Sequence, residues 1–325
     1  MAEADQFAHL SSTLRRLSLW TTASAFIVLG VALVVLLGWI LDLPNLKSVV
    51  PGAQFMKPVT MATFVLAGLA LLRGRPRSDT PDLIGTTAST LILLICGLTL
   101  LEYVTGFDFG IDRILFPEHL DMPGTIPGRM SAISAVNFIF FAGARLLSPF
   151  RHRTAERVFV IISTAGPTQA YLAILGHAFG APLLYNPFPA TSISPITAVT
   201  TMVLFVGVAL FRPDIGWITR ILSAGTGGDF VRKTAFAVVV GIPVIGWLRL
   251  QSETAGFYDI RTGVALFAAF NIIFLVAVIW NAGYNADIND SRRLQLKVRQ
   301  QKNAGSFRRR SLAVTDVVRP LWARS

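Results

Sequence analysis

The chain has 325 residues, of which 53% are hydrophobic and only 14% charged, with a mean hydropathy of +0.59 and a net charge of +11. A soluble domain carries about 25% charged residues, so this chain cannot cover its own surface in water. A soluble enzyme and a disordered chain are thereby excluded, and so is a secreted disulfide scaffold, since Cys96 is the lone cysteine.

The N-terminus begins Met-Ala-Glu-Ala-Asp. Its acidity, the missing small-residue cleavage site and the long apolar stretch behind it argue against a cleaved signal peptide. Residues 1–17 therefore read as a short cytoplasmic segment. Uncharged runs follow at Leu17–Leu41, Pro58–Leu72, Leu83–Leu101, Met130–Ala144, Val158–Phe211, Thr234–Leu248 and Thr262–Ala286. A helix needs about 20 apolar residues to cross the hydrocarbon. The fifth run is far longer, and the Gly, Pro and Asn residues from Gly180 to Pro189 divide it in two. The expectation is an all-α integral membrane protein with eight transmembrane helices over residues 18–285. Where a run is short, flanking Lys and Arg can snorkel from its ends. Trp20, Trp39 and Trp280 fall at predicted helix ends, where indoles favour the membrane interface.

Counting Lys and Arg by alternate loop puts 23 of the 29 on the side of the N-terminus. The positive-inside rule then places both termini in the cytoplasm, with Lys47, Lys57, Arg113, Arg129, Arg249 and Arg261 outside. The basic balance reads as topology and not as nucleic-acid binding.

The even-numbered spans start alike: Met56-Lys-Pro-Val-Thr60, Met130-Ser-Ala-Ile-Ser134 and Ile193-Ser-Pro-Ile-Thr197. Among odd spans, Pro167, Tyr171, Leu172 and Gly180 align with Pro243, Trp247, Leu248 and Gly256, and Gly106 holds the corresponding place in the third. Each unit holds two crossings, so the copies share one orientation: four tandem parallel α-hairpin repeats. Thr60, Ser134 and Thr197 read as helix caps. Pro167 and Pro243 read as kinks. Asn137, Gln169 and Asn271 read as interhelical hydrogen-bonders.

The most distinctive stretch is Leu101-Glu102-Tyr103-Val-Thr-Gly106-Phe-Asp108-Phe-Gly110-Ile111-Asp112-Arg113-Ile-Leu-Phe116, followed by Pro127-Gly128-Arg129-Met130-Ser131. Together these motifs resemble the multi-pass membrane input region of bacterial signalling proteins, the region that precedes PAS or GAF modules with a histidine kinase or a diguanylate cyclase. Gly246-Trp-Leu-Arg249 and Glu253-Thr-Ala-Gly256-Phe-Tyr258-Asp259 are similar to that family's final outer loop. The resemblance implies a sensory module of the bacterial inner membrane in a two-component or cyclic-di-GMP pathway, signalling through the eighth helix. The sensing candidates are Glu102, Tyr103, Asp108, Asp112, Arg113, Arg129, His177, Arg249, Glu253, Tyr258 and Asp259. A carboxylate at the membrane edge is expensive unless paired or hydrated, which makes Arg129 or Arg249 the expected partner of Glu102. His119 beside Glu118 and Asp121 lacks the spacing of a metal site, and no metal or cofactor is expected.

Residues 286–325 form a basic tail without a phosphoacceptor histidine or an ATP-binding glycine loop, and no catalytic motif stands elsewhere. The tail reads as a truncated linker from a truncated, frame-disrupted or naturally output-less member. Its expected partners are the lipid bilayer, a second copy of the chain and a separately encoded cytoplasmic kinase or cyclase. The competing reading is a small-molecule transporter or channel, which the spans answer poorly because they lack an ionisable pair at mid-membrane.

Overall fold

The computed structural model of the chain describes residues 2–48, 54–74, 82–116, 128–186, 192–223 and 226–280, with backbone alone for 2–16. All regular structure among these residues is helical. Helices α1 (Ala2–Ile40), α3 (Pro58–Arg73), α4 (Leu83–Thr105), α5 (Ala132–Leu147), α6 (Arg153–Phe179), α8 (Pro195–Ala209) and α10 (Thr226–Thr254) are the principal ones. Short helices α2 (Pro44–Ser48), α7 (Pro182–Tyr185) and α9 (Trp217–Leu222) and a 3-10 turn at Ile111–Arg113 join them. The last described helix is α11 (Ile260–Trp280). Five segments are long and apolar enough to cross a membrane: Leu17–Ile40, Leu83–Thr105, Arg153–Phe179, Gly227–Thr254 and Ile260–Trp280. Helices α3, α5 and α8 are apolar but shorter.

The chain divides into two compact units, 1–219 and 220–325. In the first, α3, α5 and α8 pack on one another. Helix α1 lies against α3 and α8, α4 against α3 and α5, and α6 against α5 and α8. Three short helices thus form the centre, and each long helix covers a seam between two of them. The long helices keep a bare apolar flank, with Phe26 62%, Leu94 57% and Ile161 64% exposed. So much uncovered apolar surface fits a membrane protein.

Between helices surrounded by lipid, burial of apolar surface gives no net drive, so close contact of small residues must supply it. Ala25, Ala32, Ala67, Ala135, Ala142, Ala170 and Ala198 are fully buried. A Cβ added to Gly68 would lie 2.6 Å from Leu29 Cγ, so α1 and α3 touch at a distance only glycine permits. Phe64 on α3 and Phe138 on α5 meet edge-on with ring centroids 4.7 Å apart. That geometry is favourable for aromatic quadrupoles.

Helices α1, α4, α6 and α10 are each followed by a residue in the left-handed region. Gly106 (φ 72°), Gly180 (φ 62°) and Gly256 (φ 77°) follow α4, α6 and α10, and Asp42 (φ 53°) follows α1. A glycine there escapes the Cβ clash, and Asp is among the few side chains that tolerate the conformation. Two of the three short central helices, α5 and α8, start on side-chain caps. Ser131 Oγ accepts the Ser134 N–H, and Ser194 Oγ accepts the Thr197 N–H. The capping residues therefore stand three positions before the expected Ser134 and Thr197, whose hydroxyls instead pair with the caps at 2.8 and 2.7 Å. Lys57 precedes α3 without a side-chain cap bond.

Pro167 and Pro243 lie inside unbroken α6 and α10. Asn137 is buried with neither amide atom in a hydrogen bond, and Asn271 donates to Phe267 O of its own helix. These two amides are therefore not interhelical bonds. Trp39 is 1% exposed, so it is no interfacial indole, whereas Trp20 and Trp280 are 66% and 77% exposed.

Candidate functional site

Each long helix of the first unit ends on a ring that reaches the carbonyl just before the next short helix. Trp39 Nε1 donates to Met56 O at 3.0 Å. Tyr103 Oη donates to Met130 O at 2.9 Å. His177 Nε2 lies 2.9 Å from Ile193 O, and because a carbonyl only accepts, Nε2 carries the proton. The three acceptors are the first residues of the three matching helix starts. Each ring has a second partner: Lys47 Nζ 4.5 Å over Trp39, Arg129 5.6 Å over Tyr103, and Tyr185 stacked at 4.0 Å on His177. These are three latches at the turn ends of three helix pairs.

The middle latch carries the most charge. Glu102, in the last turn of α4, is 1% exposed, and Asp112, in the 3-10 turn, is 2% exposed. Phe109 N–H donates to Glu102 Oε1 at 2.8 Å, which folds the loop back over the helix end. Arg129 Nε is bonded to Asp112 Oδ2 at 2.6 Å and lies 3.2 Å from Glu102 Oε2 in an ion pair without hydrogen-bond geometry. Asp108 accepts the Gly110 N–H at 2.8 Å and pairs with exposed Arg113 at 3.1 Å. Burial pulls the Arg129 guanidinium down, but Asp112, followed by Glu102, more than offsets this and holds it above its ordinary value. Of the two candidate partners of Glu102, Arg129 is the one in place. Glu102, Asp108 and Asp112 each bring a carboxylate oxygen to within 4.8 Å of the others. Arg129 already serves as their common cation.

The opposite helix ends hold a second set of arginines, to which the motif-based candidates gave no pointer. Arg145 pairs with Asp82, the cap of α4, donates to Ala70 O at 3.3 Å and faces the Phe211 ring at 5.1 Å. Arg212, fully buried, donates to Phe150 O at 2.8 Å and Glu156 Oε1 at 2.6 Å, and lies 3.3 Å from Asp214. Burial pushes Asp214 up, yet its bond to Arg212 and the charges of Arg212 and Arg151 hold it below the usual carboxylate range. The only sequence signal was their position: a basic residue near the end of one apolar run and an acidic residue near the start of another.

In the second unit, Arg249 Nη2 pairs with Glu253 Oε2 at 2.7 Å, and Tyr258 Oη donates to Arg249 O at 3.0 Å. Asp259 caps α11 by accepting the Thr262 N–H at 3.2 Å, and the Thr262 side chain, followed by that N–H, holds its carboxyl below the usual range. The expected sensing residues thus fall into three groups: Glu102, Tyr103, Asp108, Asp112, Arg113 and Arg129; His177 alone in its own latch; and Arg249, Glu253, Tyr258 and Asp259. Glu118, His119 and Asp121, and the extension of the last helix through residues 281–301, lie outside the described residues. No family model, curated protein or solved structure matches this chain.

Proposed function

We propose that this chain is a sensory input module of the bacterial inner membrane, made of eight crossings in four tandem hairpins with both termini cytoplasmic. A stimulus received at the turn ends would shift the hairpins, and the last helix would carry the change to a cytoplasmic kinase or cyclase. The three latches support the repeat, since three rings at corresponding helix ends bond three corresponding carbonyls. The observation that carries the sensory reading is the placement of charge. Every ion pair named above lies within two turns of a helix end. A transporter's coupling groups belong near mid-membrane.

A stimulus can shift the module only if it binds two packings unequally. Residues 1–297 fused in helical register to the cytoplasmic part of a related kinase should give a membrane-bound kinase. Two residues inserted after Asn289 turn the output by about 200°, and basal activity should change. Activity unchanged at every insertion length would reduce the region to an anchor. Solute uptake by the purified chain in proteoliposomes would replace the reading with transport.

A further inference from the structure

The loop that leaves α4 turns its surface the wrong way round for water. Val104 (83% exposed) ends the apolar flank of α4, and the exposed Phe107, Phe109 and Ile114 (72%) carry that apolar surface on into the loop. Phe107 and Phe109 meet edge-on with ring centroids 4.9 Å apart, so together they form one apolar ridge. The charges lie behind it or cancel. Glu102, Asp112 and Arg129 are buried, and Asp108 pairs with Arg113 at 3.1 Å.

The loop backbone is arranged in the same sense. Five N–H groups from Gly106 to Arg113 are satisfied by the chain itself. Gly106 N–H donates to Glu102 O, and Phe107 N–H to Thr105 Oγ1. Phe109 N–H donates to Glu102 Oε1, Gly110 N–H to Asp108 Oδ1 and Arg113 N–H to Gly110 O. A loop in water can leave such groups to the solvent, whereas in lipid each must find its partner within the protein. Gly106 and Gly110, with φ of 72° and 75°, permit the reversals on which this bonding depends.

We infer that the loop from Gly106 to Ile114 is a lipid-binding surface, seated in the membrane interface with Phe107, Phe109 and Ile114 among the acyl chains. Lipid is the occupant because the ridge continues the bare flank of α4, a segment long and apolar enough to span. The backbone donors named above are already spent, and Arg113 can reach the headgroups by snorkelling. The inference deepens the sensory reading by giving the stimulus a class, an amphiphile dissolved in the leaflet. It rests on that reading only for this consequence, not for the seating of the loop.

The test uses the full chain with Cys96→Ala in nanodiscs, carrying one spin-labelled cysteine at a time from Phe107→Cys, Ile114→Cys or Arg113→Cys. Oxygen dissolves in hydrocarbon and a polar nickel chelate does not, so the ratio of oxygen to nickel collisions should be about tenfold higher at the first two positions than at the third. Equal ratios, with nickel reaching all three labels, would put the loop in water and overturn the assignment. Labels at the first two positions shielded from both reagents would mean that a protein surface, such as a second copy, covers the ridge, and that would overturn it too. Phe109→Cys stands in for either apolar position should a variant fail to fold. The unaltered chain gives an independent reading: a phospholipid with a diazirine in its acyl chain should cross-link to the peptide holding residues 107–114, and an unlabelled peptide would remove the site. These readouts report location, so a silent kinase fusion with a lipid-seated loop would overturn the sensory reading and leave this assignment standing.

Discussion

Two buried carboxylates share one guanidinium at the end of α4, and this asymmetry sets the energetics of the site. Removing Arg129 leaves Glu102 and Asp112 both uncompensated, whereas removing Glu102 leaves Arg129 its bond to Asp112. Breaking a buried pair by deleting one partner costs about 3–5 kcal/mol. Arg129→Gln should therefore destabilise the detergent-solubilised protein by about that much, and Glu102→Gln by less, about 1–3 kcal/mol. The double variant should cost less than the two changes added; additive thermal unfolding would show no coupling. At the other end, the Asp214 carboxyl sits below its ordinary value, so it stabilises the fold above the unfolded value of about 3.9. That contribution is lost as pH falls through the folded value. The melting-temperature gap between the wild type and Asp214→Asn should hold from pH 7 to 5 and shrink below about pH 4. At this scale the sequence was legible where a motif concentrated charge in one stretch, as from Glu102 to Arg113. It was not legible for Arg145 with Asp82 or Arg212 with Glu156, because those pairs join different helices and no local spacing records them.

Among the elements, the short central helices owe their position to caps and latches and not to length. Tyr103→Phe keeps the ring under Arg129 and deletes the bond to Met130 O, so it should cost about 0.5–1.5 kcal/mol in unfolding free energy. Within α5, Asn137 is buried with no bond to either amide atom among the described residues. Asn137→Leu should match or exceed the wild-type melting temperature, since replacing an unsatisfied polar group by an apolar one of similar shape removes its desolvation cost. The matching helix starts were readable from sequence, yet the capping residue was misplaced by three positions. Ser131 and Ser134, like Ser194 and Thr197, are all competent hydroxyls, and only the backbone path decides which lies outside the helix. The left-handed helix ends were legible as glycines in three cases. Asp42 was not, because its side chain merely tolerates a conformation that glycine favours.

For the whole molecule, helical class and the long apolar segments follow directly from composition, whereas the count of crossings depends on three helices of 15 or 16 residues. A reporter joined after Ser325 should be active only as a cytoplasmic fusion. One placed near Asp121 should be active only as a periplasmic fusion. The reverse pattern at either site would break the hairpin scheme. The nesting of three short helices inside three long ones was not legible, since periodicity reports which residues are apolar and not which partner covers them. In lipid both faces of a helix are apolar, so the contrast that marks a buried face in water is gone.

The three latches also bear on how the chain is made. Their donors and acceptors are 17, 27 and 16 residues apart, each within one helix pair and its turn. A ribosome delivers those partners within moments of each other, so every pair can shut its own turn before the following pair leaves the exit tunnel. The arginines at the opposite ends close over longer stretches, 56 to 75 residues: Arg145 ties α5 back to Ala70 of α3 and so joins two pairs, whereas Arg212 binds Phe150 and Glu156 at the entry of its own pair.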